Sequence, residues 1–411
     1  MFWPLGRYLL VGCVFTLFVP GSVFAASSDT AWTDWFITQI DQHPDIVAAR
    51  ERMNSLLSTA DNLEQPLYNP EFESEYEREE KENNYRIGIS QTVDWWDKRG
   101  VREQQAKFNQ AAARNAYQSA KQQKIAQALA TIIKWHATSQ AAELALEQES
   151  QLGTLLDLVQ ERQKAGDMGQ TDAELTYLGL SQRLNDTARA LAQLKRVEAA
   201  LYEQLPDWSA QWSQIPESLW ATSQTTADAR WLDEHPEVLA VRGEWEVLRQ
   251  AAELARRETK ADPTFGFNAG QSTDGDVAAV TFSIPLNVRN NFSALARAAS
   301  QEALSAEARY RAVRRKQQAA IDAAQAALQA YQRQYLRWKT LMAGRGERSA
   351  NLLEKQWDGG DFSTTEYLLA LQQRAEGLNA GIELSMEFQL TRIEWLLQTG
   401  QITAALMQPT Q

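Results

Sequence analysis

Two stretches of this chain, Val101 to Leu152 and Val288 to Ala343, contain neither glycine nor proline. Nothing in them interrupts a helix, and each reading extends further, across Gly153 to Lys164 and across Gly344 and Gly346 to Asp358. Each helix would then hold about 65 to 70 residues and run about 100 Å, deeper than any globular domain. In the first, Ile125, Leu129, Ile132, His136, Leu144, Leu152, Leu155 and Val159 recur at spacings of three, four or multiples near seven, with alanine between them. Such helices must bury this seam on other helices, and alanine lets them approach closely. Only 11 prolines and 20 glycines among 411 residues agree with a mainly α chain.

The chain is a tandem duplication. Asp41-Gln-His43-Pro44-Asp-Ile-Val-Ala-Ala-Arg50 returns about 190 residues later as Asp233-Glu-His235-Pro236-Glu-Val-Leu-Ala-Val-Arg242. Tyr68-Asn69-Pro70-Glu71-Phe72 returns as Ala261-Asp262-Pro263-Thr264-Phe265, and Ile87 to Val93 returns as Val280 to Leu286. The chain is expected to divide into residues 1–25, a first repeat 26–205, a linker 206–229, a second repeat 230–400 and a disordered tail 401–411. The linker carries Trp208, Trp212 and Trp220 and is expected to pack on the outside of a bundle.

Each repeat places two strands before its long helix. Glu71, Glu73, Glu75, Glu77 and Glu79 alternate with Phe72, Ser74, Tyr76 and Arg78. In the next run Tyr85, Ile87, Ile89 and Val93 share one face, and Arg86, Gly88, Ser90 and Thr92 the other. The second repeat puts Phe265, Phe267 and Ala269 on one face of its first strand and Ala278, Val280, Phe282, Ile284 and Leu286 on one face of its second, joined by a turn at Ser272 to Asp276. Runs of this length match a tilted strand crossing a bilayer. Beyond each long helix stand matching breaks, Gly166 with Asp172 and Gly360 with Glu366, where glycine ends the helix and Asp or Thr caps the returning one.

Residues 1 to 25 have the three parts of a secretory signal: Arg7, an apolar run from Tyr8 to Val19, and the small-residue site Val23-Phe24-Ala25. Leu10-Val11-Gly12-Cys13 superficially fits a lipobox, but cutting there would leave hardly any apolar core before the cysteine, so lipidation is disfavoured. Cys13 is the single cysteine, and its removal with the signal leaves no thiol chemistry. A formal charge of -12 argues against nucleic-acid partners. No nucleotide loop, nucleophile elbow or zinc signature is present, so neither an enzyme nor a cofactor is expected. His43 and His235 each precede a proline and read as helix openers before metal ligands, His136 as a seam residue, and the methionines lack the spacing of a copper relay. The glutamate stripe reads first as a solvated face, with cation attraction as the alternative.

Signal, helix, strand pair, long helix, glycine break and return helix, twice over, resemble the TolC family of outer-membrane efflux ducts across the whole mature chain. Two stretches resemble its CzcC-like, heavy-metal branch: Gln91-Thr-Val-Asp-Trp-Trp-Asp-Lys98-Arg99-Gly100, and Ala261-Asp-Pro-Thr-Phe-Gly-Phe267 with Ser283-Ile-Pro-Leu-Asn-Val-Arg-Asn290. Four strands per chain cannot close a barrel, and an open edge in lipid leaves backbone groups without partners. The resemblance implies a homotrimer with twelve strands in outer-membrane lipid and a helical tunnel across the periplasm. It also implies a periplasmic adaptor and an inner-membrane pump of the resistance-nodulation-division type. Within it the glutamates would face an aqueous lumen, Trp95 and Trp96 would sit at the membrane boundary, and Gly166, Asp172, Gly360 and Glu366 would lie at the tunnel tip in a gating or docking role. Export of drugs or secreted protein, and a non-conducting periplasmic coiled-coil tether, remain the competing readings.

Cleavage is expected after Ala25. The intact mass of the mature protein tests it, and a diacylated amino terminus at Cys13 would overturn it.

Overall fold

The computed structural model describes residues 23–407 apart from 80–81, 167–168, 221–228, 273–274 and 360. Most of the expected signal, Gly360 at the second break and residues 408–411 of the tail therefore lie outside the described residues. The first repeat runs α1 (Val23–Gln42), α2 (Pro44–Glu64), β1 (Glu71–Glu79), β2 (Glu82–Thr92), α3 (Lys98–Ala165) and α4 (Gln170–Gln204). The second runs α5 (Ala229–Glu234), α6 (Pro236–Glu258), β3 (Thr264–Ser272), β4 (Gly275–Ser283), α7 (Ser293–Met342), α8 (Arg345–Asp358) and α9 (Thr364–Gln398), followed by α10 (Ile402–Met407). Both repeats thus put their strands before their longest helix, and the four strands form one antiparallel sheet in the order β1-β2-β3-β4.

The first long helix is continuous for 68 residues, about 100 Å. Its seam is buried as the spacing requires: Ile125, Leu129, Ile132, Leu144, Leu152, Leu155 and Val159 are all inaccessible or nearly so. Nearer the sheet α3 packs on α2 and α6, and farther away on α4. Alanine and glycine set the closest approach, since an added Cβ at Gly243 of α6 would lie 2.7 Å from the Cβ of Ala112 on α3. Farther along, the Thr187 hydroxyl of α4 donates to the Ala145 carbonyl at 3.3 Å.

The second long helix departs from expectation. It stops at Met342, and Gly344, with φ +63, turns the chain before α8 begins. A left-handed residue cannot continue a right-handed helix, and glycine adopts that conformation without a Cβ clash. Arg348 then donates to the carbonyls of Gly344 at 2.5 Å and Ala343 at 3.3 Å, replacing partners that the break removes. Gly153 stands at the comparable depth of α3 without turning it.

The tail is a second correction. Residues 402–407 form α10, whose Ile402, Ala405 and Leu406 are buried. They join the largest core, built from Trp32, Phe36 and Ile40 of α1, the mid-section of α3, and Ile393 and Leu396 of α9. Trp208 and Leu219 of the inter-repeat linker enter the same core, where Trp212 stacks on Trp35 at 4.8 Å. The linker thus lies against the bundle, as expected, but as part of its thickest layer.

Gly243→Ala is expected to force α3 and α6 apart and cost about 1–3 kcal/mol. Gly153→Ala, whose added Cβ meets nothing within 4 Å, should instead stabilise the helix by about 0.5–1 kcal/mol. Thermal unfolding of the purified protein separates the two.

Candidate functional site

The pairing register joins the alternating strands into one two-faced sheet. Phe72 lies opposite Ile89, Tyr76 opposite Tyr85, Ile89 opposite Phe267, and Phe267 opposite Val280. Residues directly opposite share a face. One face therefore carries Phe72, Tyr76, Tyr85, Ile87, Ile89, Phe265, Phe267, Val280 and Phe282, exposed by 43% to 79%. A continuous apolar surface over four strands is a contact surface, because scattered exposure would not keep a single parity.

The other face is polar. Glu71 lies opposite Ser90, Glu73 opposite Gly88, Glu75 opposite Arg86, Glu77 opposite Asn84, and Glu79 closes the strand opposite Glu82. Ser90 donates to Glu73 at 3.0 Å, and Arg86 pairs with Glu75 at 3.0 Å, so the acidic stripe is partly compensated by its neighbour strand. Gly88, Gly266 and Gly270 share this face. A Cβ at Gly88 would meet that of Asn268 at 2.9 Å, one at Gly266 the Thr281 hydroxyl at 2.5 Å, and one at Gly270 the Tyr85 carbonyl. Among the described residues the outer edges of β1 and β4 have no strand partner.

At the foot of the sheet the two repeats are locked together. Lys98 pairs with Asp262 at 2.8 Å, with the two side chains 7% and 2% exposed. Asp262 also accepts from the Tyr68 hydroxyl at 2.7 Å and the Trp95 backbone at 3.2 Å, and Lys98 donates to the Lys260 carbonyl at 2.9 Å. Burial first, then the Asp262 carboxylate, pushes the Tyr68 hydroxyl well above its ordinary pKa. Asp94 accepts the backbone amides of Lys98 and Arg99 at 2.8 and 2.7 Å and so caps α3, which starts from the left-handed Asp97. Trp96 donates to the Ala261 carbonyl at 3.0 Å and lies under the Lys260 ammonium at 4.3 Å, while Trp95 is 64% exposed. Both motif stretches singled out in the sequence meet here.

At the opposite end Gly166 closes α3 at φ +82. Asp172 and Glu366 fall in the first turns of α4 and α9. The caps differ from expectation: Ser363 and Glu366 form a capping box, whereas α4 starts from Gly169 with no side-chain cap. The bonds from Ser363 hold the Glu366 carboxyl below its usual pKa. Thr365 donates to Asp172 at 3.3 Å, bringing the two breaks together. Trp357 is buried beneath them, stacked on Tyr367 at 5.0 Å and covered by the Arg162 guanidinium at 5.0 Å.

The histidines have structural partners. His43 and His235 accept the Asp45 and Glu237 amides, each at 3.2 Å, as N-caps of α2 and α6. His136 contacts the Ser213 carbonyl of the linker. Sequence reading missed the Lys98–Asp262 pair and the glycine face. The available signals were a lysine and an aspartate inside the two motif stretches, and three glycines sharing one parity.

No protein-family model matches this chain, and no curated protein matches it in sequence. Solved structures do. The outer-membrane channel OprN superposes with a TM-score of 0.74 at 13% identity, covering 93% of this chain and 92% of that one. The Campylobacter jejuni CmeC outer membrane channel gives 0.73 at 13% identity, covering 91% and 86%. CusC, studied for folding and transmembrane channel formation, gives 0.71 at 12% identity, covering 95% and 96%. The chain has the fold of these channels over nearly its full length.

Lys98→Met is expected to leave Asp262 buried without its cation and to cost about 3–5 kcal/mol, while Lys98→Met with Asp262→Leu recovers most of the loss. Thermal unfolding tests this, and equal losses in both variants would show that the pair is not the lock.

Proposed function

We propose that this chain is one subunit of a homotrimeric outer-membrane duct that passively exports substrate delivered by an inner-membrane pump through a periplasmic adaptor. The observation that carries the proposal is the two-faced sheet with unpaired edges, mounted on helices about 100 Å long. In hydrocarbon every backbone group needs a partner, and only a closed barrel supplies one to strands. Pairing β4 of one copy with β1 of the next removes both free edges, and three copies give twelve strands. The apolar face then meets lipid and the glutamate face meets water. None of the described helices is long and apolar enough to cross a membrane, which leaves the strands to do so.

The substrate we favour is a heavy-metal cation, with a pump of the resistance-nodulation-division type, on the strength of the CzcC-like stretches ending at Gly100 and Asn290. Drug or protein export is the alternative substrate class. We place the gate or adaptor contact at Gly166, Asp172, Gly360 and Glu366, because two hairpin ends meet there and up to six carboxylates of a trimer would converge. Trp95 and Trp96 are assigned to the periplasmic boundary of the membrane.

Single cysteines at Ile87 and Phe282 should resist a water-soluble thiol reagent in outer membranes, whereas those at Glu73 and Glu75 should react. Equal labelling would remove the barrel. Asp172→Asn with Glu366→Gln is expected to alter conductance and cation block in planar bilayers without dissociating the trimer. Unchanged block in that variant, with full export by bulky replacements at Gly166 and Gly360, would make the breaks ordinary turns. Loss of metal tolerance on deletion, restored by the intact gene, tests the substrate class.

A further inference from the structure

The alternation of β4 does not stop where the strand stops. Val280 and Phe282 lie on its apolar face, Ile284 and Leu286 continue the same parity beyond Ser283, exposed by 44% and 77%, and Val288, 86% exposed, follows a tight turn in which its amide donates to the Leu286 carbonyl at 2.9 Å. The ladder ends at Ser283 because Pro285 has no amide hydrogen and β3 has no residue left to pair. The segment is nevertheless held in place. Asn287, of the opposite parity, donates its side-chain amide to the Thr259 carbonyl at the end of α6, at 3.0 Å. Its neighbours Leu286 and Val288 stand exposed on either side of it, and the exposed Arg289 follows them.

The duplication supplies the level at which these residues stand. Matching Ile87 to Val280 matches Val93 to Leu286 and Trp95 to Val288. Val93 and Trp95 are themselves exposed by 40% and 64% at the foot of the first strand pair. Both repeats therefore present exposed apolar side chains just past the last paired residues. A neighbouring copy adds to the sheet edge-on and does not cover its apolar face. An apolar strip ending in a cation, continuous with a lipid-facing surface, fits the boundary between acyl chains and phosphate headgroups.

We propose that the segment Ile284 to Arg289 is a membrane-interface anchor, with Leu286 and Val288 immersed in the periplasmic leaflet and Arg289 on lipid phosphate, completing in the second repeat the belt that Trp95 begins in the first. It rests on the barrel reading given above. The test uses the purified full-length mature trimer in phospholipid nanodiscs, carrying an environment-sensitive fluorophore on Leu286→Cys, Val288→Cys or Phe282→Cys. Nitroxide lipids labelled near the headgroup or deep in the chain, and aqueous iodide, serve as quenchers. Fluorophores at positions 286 and 288 should be quenched more by the shallow nitroxide, and that at 282 more by the deep one. Quenching at 282 combined with iodide access at 286 and 288 overturns the anchor and leaves the barrel standing. Protection of 286 and 288 from both quenchers would mean that a neighbouring subunit covers them, which also overturns it. No nitroxide quenching at 282 removes both readings. On the Val288→Cys background, Arg289→Glu should lower shallow quenching, and unchanged quenching would remove the phosphate contact.

Discussion

A buried ion pair fixes how the strands stand on the helices. Lys98 begins the first long helix and Asp262 precedes the first strand of the second repeat, so their contact ties a helix of one repeat to a strand of the other. Around it Tyr68, Trp95 and the Lys260 carbonyl satisfy the remaining polar positions, which lets two charges remain buried. The adjoining strand pair β2–β3 inherits its register from this point, starting with the Val93 amide on the Pro263 carbonyl at 2.9 Å. A slip of one residue there would turn every apolar side chain of one repeat onto the face of the other's glutamates.

The two repeats share an outline and differ along the outer part of their long helices. The first long helix runs unbroken to Gly166, whereas the second is interrupted at Gly344 and resumes as a separate short helix. Trp338 of α7 sits so closely over Gly381 of α9 that no Cβ could replace the hydrogen, so the helix pair is fitted tightly just before the interruption. The second hairpin reaches the tip in two pieces, and its far end is held by the capping box of Ser363 and Glu366 and by the Trp357 cluster.

Midway along the helices the structure is thickest. There α1, the tryptophan-bearing linker and α10 wrap the faces of α3 and α9 and produce the one extensive multilayer core among the described residues. The Arg392 guanidinium, donating to the Leu219 carbonyl at 3.2 Å, binds α9 to that wrapping. A long helical pair has little core of its own, and this collar supplies the burial that a bundle of narrow helices lacks.

The sequence by itself determined the duplication, the long helices with their seam from Ile125 to Val159, and the parity of every strand, because period and composition are local properties that survive without knowledge of partners. It also placed Gly166, Asp172 and Glu366 at the helix ends and His43 and His235 before them. Only the tertiary structure decided the rest. The glycines at 153 and 344 stand at comparable depths of the two repeats, yet one stays helical and the other turns left-handed. Residues 402–407 look like a frayed tail until α9 and the linker offer a surface that buries Ile402 and Leu406. The contact of Lys98 with Asp262, and the merging of two strand pairs into one sheet with a single apolar face, join residues more than a hundred positions apart. Such pairings depend on chain closure, which no local pattern records.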